Sequence, residues 1–486
     1  VNETFIAHPQ EALWRMIPVW LGICLFFWWL QARRSYGGAG FIFAYLGLFS
    51  LLHLTGAIMH AVPMYELPNA VVSVLGFRES LYGLAAFCGG ALIPVLRRVT
   101  LEKTGGSFPV LELDSKSLRW LFIYGFGFML ADRVAGDLPS VGAAIRAGKS
   151  LVLVGILLGA LQSLQRGHKG RFLLWLGSLF LYPFFGLLGE GFLSYATITL
   201  AIAFSFLFVF YRPRWHVMVL GPVFIYTVMS FFVGYMRERE GIREDIFMET
   251  GWETRMEKAR AIFTEFEWLD LNKESHREPI DNRLNQNLFI GKTVVRMTSG
   301  ELAPLSGYTV QQGLWSMVPR ILWPGKPMTA GSRGIMSYLI GEQLSETTSF
   351  GLGQVLEYYA NFKRIGMVLF MFAFGWALAE LDLRCGLALR RGDWKQFTQY
   401  FLITTPLICP EWSAVEFFSG FAAALILVWG LNKTVFKEEK KKNLTGQKTG
   451  PPQPAPRTIG TPTADRPRRF VYGDKKTGSE ASPSVP

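Results

Sequence analysis

Apolar residues in this chain gather into repeated runs, with short clusters of Arg and Lys between them. A bilayer core asks for roughly 20 apolar residues per helix. Runs near that length fall at 13–31, 41–62, 81–96, 118–135, 151–165, 172–189, 193–211, 217–236, 365–383, 397–409 and 415–431. No single run dominates, so the pattern predicts an all-α polytopic membrane protein, a bundle of about 11 transmembrane helices in which 397–409 is the weakest for length. The first run is longer than a signal-peptide core and has neither a basic leader nor a small-residue cleavage site, so it is expected to stay as an anchor.

Composition agrees with lipid as the solvent, because half of the 486 residues are hydrophobic and only 18% are charged. The net charge of +12 would suggest nucleic acid in a soluble chain. Here most cations flank apolar runs or crowd the tail, so no nucleic-acid partner is expected. Sixteen Arg and Lys, from Arg33 and Arg34 to Arg391 and Lys395, fall in one set of short loops; only Arg15, Arg78, Arg133, Arg146 and Lys149 fall in the other. That asymmetry predicts an external amino terminus and a cytoplasmic carboxyl terminus. Cys24, Cys88, Cys385 and Cys409 sit in or beside apolar runs and read as small core residues, and the six histidines form no ligand-like cluster, so neither a metal nor a cofactor is expected.

Four regions follow: eight spans in 1–236, an extracytoplasmic segment at 237–363, three spans in 364–432 and a basic tail at 433–486. The tail is too poor in apolar residues to bury a core and is expected to be disordered on the cytoplasmic side. The external segment is too long to be a mere connection. Between residues 242 and 271, Ile242, Ile246, Trp252, Met256, Ala259, Phe263, Phe266 and Leu269 recur at spacings near three and four. This predicts an amphipathic helix, broken near Gly251, that packs on the bundle or rests in the headgroups.

Charge changes sign beyond it. From Arg283 to Arg333 the chain holds Arg283, Lys292, Arg296, Arg320, Lys326 and Arg333 against the single carboxylate Glu301. Either these cations pair with the acidic half of the segment or they await an anion such as a lipid phosphate. Prolines at 319, 324 and 327 fix the backbone around Arg320 and Lys326, and Trp315 and Trp323 flank them as sugar platforms or interface anchors. Gln354, Glu357 and Asn361 then share one helical face, which reads either as a solvated stripe or as a carboxylate placed to accept a proton. Second-rank candidates are Asp132, Arg133 and Asp137 at the end of the fourth span and Glu190 at the end of the sixth. His53 and His60 lie seven apart on the second span, as a relay, an acyltransferase histidine or packing residues.

The stretch Pro319-Arg320-Ile-Leu-Trp323-Pro-Gly-Lys326-Pro, with Phe350-Gly-Leu-Gly353 and Leu356-Glu-Tyr-Tyr-Ala-Asn361-Phe, resembles the Wzy-type oligosaccharide repeat-unit polymerases of O-antigen and exopolysaccharide synthesis. The resemblance covers the external segment and its return to the membrane. It implies a GT-C-like, metal-independent glycosyltransferase in the bacterial inner membrane that polymerises repeat units carried on polyprenyl diphosphate. Its implied partners are polyprenyl-diphosphate-linked glycans and the bilayer, with a flippase and a chain-length regulator alongside. Glu357 would be the acceptor's base; Arg320 and Lys326, with Arg296 and Arg333, would hold the departing diphosphate; Trp315, Trp323, Gln354, Asn361, Asp132 and Arg133 would line the substrate site. An O-antigen ligase shares this layout, while a flippase or a membrane O-acyltransferase using His60 are readings from other classes.

Overall fold

The computed structural model describes residues 8–33, 37–62, 69–101, 111, 113–136, 138, 141–190, 193–211, 215–247, 260, 264–326, 332–344 and 351–436. All lie in the compact unit Val1–Phe436, and the predicted tail beyond it falls outside the described residues, as does Asp137. The described residues are all-helical, without a strand. In chain order the helices are α1 Pro9–Arg33, α2 Phe41–Ala61, α3 Ala70–Leu101, α4 Ser115–Ala135, α5 Val141–Gln165, α6 Lys169–Glu190, α7 Leu193–Tyr211 and α8 Trp215–Phe247. Four short helices follow, α9 Glu274–Leu284, α10 Gln286–Ser299, α11 Tyr308–Ser316 and α12 Ser332–Ile340, then α13 Gln354–Arg390, α14 Trp394–Thr404 and α15 Ala414–Lys433. Six helices among the described residues are long and apolar enough to cross a membrane: α1, α2, α3, α5, α13 and α15. Helices also occupy the predicted span positions at α4, α6, α7 and α8.

Local chemistry sets several boundaries. Asp114 accepts from Ser117 N (3.0 Å) and caps α4, and Ser413 with Glu416 forms a reciprocal capping box on α15. The tenth predicted span is shorter than expected. Its helix α14 stops at Thr404, a 3-10 turn holding Pro406 follows, and the chain reaches Ser413 without further helix. α3 starts eleven residues before the predicted span, so Arg78 is a residue of the helix and not of a loop.

α13 is not one rod. Lys363 takes φ 56° and ψ −165°, and the chain reverses there. Tyr358 stacks on Phe370 with centroids 4.6 Å apart, whereas twelve residues of straight helix would part them by about 18 Å. The limb 354–362 and the limb 364–390 therefore lie side by side, and the span proper begins at Arg364. α3 packs against this hairpin closely, because Gly90 and Gly375 let the two backbones touch where a Cβ would collide with Phe372 O or Phe87 O.

A second hairpin, α9–α10, wedges between α2 and α3. Asp281 meets His60 and Asn285 meets Gly56, so α9 runs antiparallel to α2; Asn287 meets Gly76 and Gly291 meets Val72, so α10 runs antiparallel to α3. The hairpin tip is Asn285-Gln286-Asn287, buried at 2, 3 and 0% exposure. The predicted amphipathic helix through Leu271 is absent in its last part, where the chain runs without helix from 266 to 270. There it lies along α8, with Trp268 stacked on Tyr226 (5.7 Å), Leu269 N donating to Ser230 Oγ (3.0 Å) and Phe266 against Phe231. These side chains bury their apolar faces on α8 instead of on a helix of their own. The stretch 248–259 lies outside the described residues.

Candidate functional site

The hairpin end of the bundle gathers most of the residues singled out from sequence. Gln354, Glu357 and Asn361 do share a face, but it is not a solvated one: all three are at most 3% exposed. Asn361 ties α13 to α11, accepting from Gly307 N (3.0 Å) and donating to Thr309 Oγ1 (2.7 Å). Gln354 accepts from the Tyr45 hydroxyl (2.7 Å) and donates to Cys409 O. Glu357 Oε2 accepts from Ala414 N at the first turn of α15 (2.6 Å), where the helix dipole favours an anion. Burial pushes the carboxyl up to about 7, against the opposing pull of the Thr309 hydroxyl and the Ala414 N–H. The loop before α15 completes the joint: Glu411 O accepts from Gly353 N and its carboxyl from Gly351 N. Loss of water pushes the Glu411 carboxyl above its ordinary value, and the charge of Glu416 pushes the same way.

Of the two readings of the basic stretch, partners within the protein hold for most of its cations. Lys292 holds Glu342 (2.7 Å). Arg296 donates to Tyr338 O (2.6 Å) and Leu339 O (3.0 Å), the carbonyls that end α12, and lies 3.5 Å from Glu301. It serves as a C-cap. Arg320 donates to Lys326 O (3.0 Å), and Lys326 to Ser316 O and Val318 O (3.2 and 3.0 Å), so each cation closes the loop that carries the other. Burial, then the Arg320 charge, holds the Lys326 ammonium below its ordinary value. Arg333 is exposed on α12. Trp315 and Trp323 meet edge to face (6.2 Å, 79°) instead of standing as two parallel platforms.

The second-rank residues sit apart from these. Asp132 pairs with Lys149 (2.8 Å) and Arg133 is exposed. His53 binds Asn287 Oδ1 and Ser80 Oγ (both 3.0 Å), and His60 binds Asp281 (2.9 Å) at 1% exposure. His53 thus joins the hairpin tip to α2 and α3, and His60 joins α9 to α2, contacts that fit their packing reading.

Sequence reading missed the charged cluster beside that tip. Glu79 is fully buried and receives two guanidinium forks, Arg78 Nε and Nη2 on Oε1 (3.1 and 2.9 Å) and Arg364 on both oxygens (2.8 and 2.6 Å). Arg364 also lies 4.9 Å over the Tyr82 ring. The signal was present, since two ionisable residues continue an apolar helix. Starting the span at Leu81 hid it.

No protein-family model matches this chain, and neither the curated proteins nor the solved structures contain a match.

Proposed function

We propose that this chain is a membrane glycan polymerase, joining repeat units borne on polyprenyl diphosphate at the extracytoplasmic face of a bacterial inner membrane. Its eleven predicted helices would span with the amino terminus outside, in a GT-C-like arrangement that needs no cofactor. The observation that supports this reading best is convergence. The stretches that carry the Wzy-type resemblance meet one joint: Asn361 binds the start of α11, Glu357 and Gly353 bind the first turn of α15 and the loop before it, Ser316 at the end of α11 binds Val415 O (3.1 Å), and Lys326 donates to Ser316 O (3.2 Å). A buried carboxylate, Glu357, stands in that joint. Glu357 is the base in this reading, and Arg320 and Lys326 meet the departing diphosphate as charge builds on it.

Glu357→Gln keeps an acceptor for Ala414 N and removes the base. In cells it should abolish long polymer and leave lipid-linked single units to accumulate, with protein at normal abundance in the membrane. Arg320→Ala and Lys326→Ala should slow polymer formation roughly a hundredfold, and Arg320→Lys should rescue poorly because a point charge lacks the fork. Wild-type polymer from Glu357→Gln and from both cation variants would overturn the assignment.

A further inference from the structure

Two layers of ion pairs mark the ends of the α3–α13 seam. At the hairpin end are Arg78, Glu79 and Arg364; at the other, Glu380 pairs with Arg97 (3.6 Å) and Arg384 (3.0 Å). From Glu79 to Arg97 is eighteen residues, or about 27 Å of helix, and from Arg364 to Glu380 sixteen, or about 24 Å. Both approach the ~30 Å of a hydrocarbon core. The Glu79 cluster therefore stands at headgroup level whichever way the chain is inserted.

Its charge is not balanced. Two guanidinium groups face one carboxylate, and the exposed Lys363 adds a third cation beside Arg364. Each arginine meets Glu79 through Nε and Nη2, which leaves both Nη1 edges without an acceptor among the described residues. The Arg364 side chain is 45% exposed and that of Glu79 not at all, so the carboxylate orients the forks from behind. From Arg364 an apolar ridge runs along the seam: Ile365, Leu369, Phe372 and Trp376 are exposed at helical spacing, with Tyr82 beside them.

We propose that Arg78 and Arg364, held on Glu79, seat the phosphate end of a membrane lipid whose apolar chain lies along this ridge. Paired forks match phosphate oxygens, and the ridge continues from them into the hydrocarbon. A reaction between two lipid-linked sugars needs two phosphate seats. On the polymerase reading, on which this step alone rests, the Glu79 cluster is the second seat, distinct from the Arg320–Lys326 loop.

The test is equilibrium binding of polyprenyl diphosphate and of phosphatidylglycerol to the full chain in detergent, with inorganic diphosphate as competitor. Arg78→Gln/Arg364→Gln should weaken lipid binding at least about tenfold, while Arg384→Gln, at the far end of the seam, leaves it unchanged. Size-exclusion profile and melting behaviour show whether the double variant is folded. If it is not, Arg364→Lys, which keeps Glu79 paired but lacks the fork, should still weaken binding several-fold. A wild type that takes phosphatidylglycerol but never polyprenyl diphosphate keeps the seat and sinks the polymerase reading. Undiminished binding of both lipids by the folded double variant, or by Arg364→Lys, overturns the seat and leaves the polymerase reading to the Glu357 test.

Discussion

Asp382 shows what one buried charge does in this fold. It is wholly enclosed, and its Oδ1 accepts from the backbone N–H groups of Ala39, Gly40 and Phe41 at 2.9, 2.9 and 3.0 Å. Those donors begin α2 and would otherwise be orphans in an apolar setting. Asp382→Ala should cost on the order of 3 kcal/mol, since it strands buried donors that a charged acceptor had satisfied. Asp382→Asn, which keeps an acceptor without the charge, should lose less. Melting of the detergent-solubilised variants checks the ranking, and two variants that melt like wild type would show the contact to be idle. In sequence Asp382 is only a polar residue near the end of an apolar run, because its partners lie 341 to 343 positions away. The same holds for Arg296 and Lys326: their charge is legible, but the carbonyls that take it up are not.

At the scale of elements, the apolar runs foretold the helices well, since length and hydropathy decide whether a segment spans. They did not foretell the reversal at Lys363: Asn361 and Gly366 flank it, and a Cβ at Gly366 would collide with Phe362, but the helical pattern continues across it. They also left the α9–α10 hairpin unread, since its tip residues are polar and are buried only by the tertiary partners His53, Ser73 and Ser80. A lysine at φ 56° and ψ −165° stands in a region almost reserved for glycine, at a cost of roughly 1–3 kcal/mol. Lys363→Gly should therefore raise stability by about 1 kcal/mol after the entropy that glycine loses on folding. Lys363→Ala removes the same charge without relieving the backbone and should gain nothing. Equal melting temperatures for the two would place the effect in the charge.

For the whole molecule, orientation is the quantity on which the chemistry turns. The cation asymmetry predicts that the hairpin end faces outward, and the headgroup-level cluster at Glu79 is compatible with either sense. Lys273, half-exposed at the start of α9, and Lys169, exposed at the start of α6, serve as reporters. Cys88, Cys385 and Cys409 are buried and Cys24 half-buried, so the native thiols should give a low background. An impermeant thiol reagent added to intact spheroplasts should label Lys273→Cys at once and Lys169→Cys only after permeabilisation. The reverse pattern would place Glu357, Arg320 and Lys326 on the cytoplasmic side, out of reach of repeat units delivered to the outer face, and the polymerase reading would fall. The lipid-phosphate seat would survive that outcome, because a layer of charge about 27 Å from its counterpart meets headgroups in either leaflet.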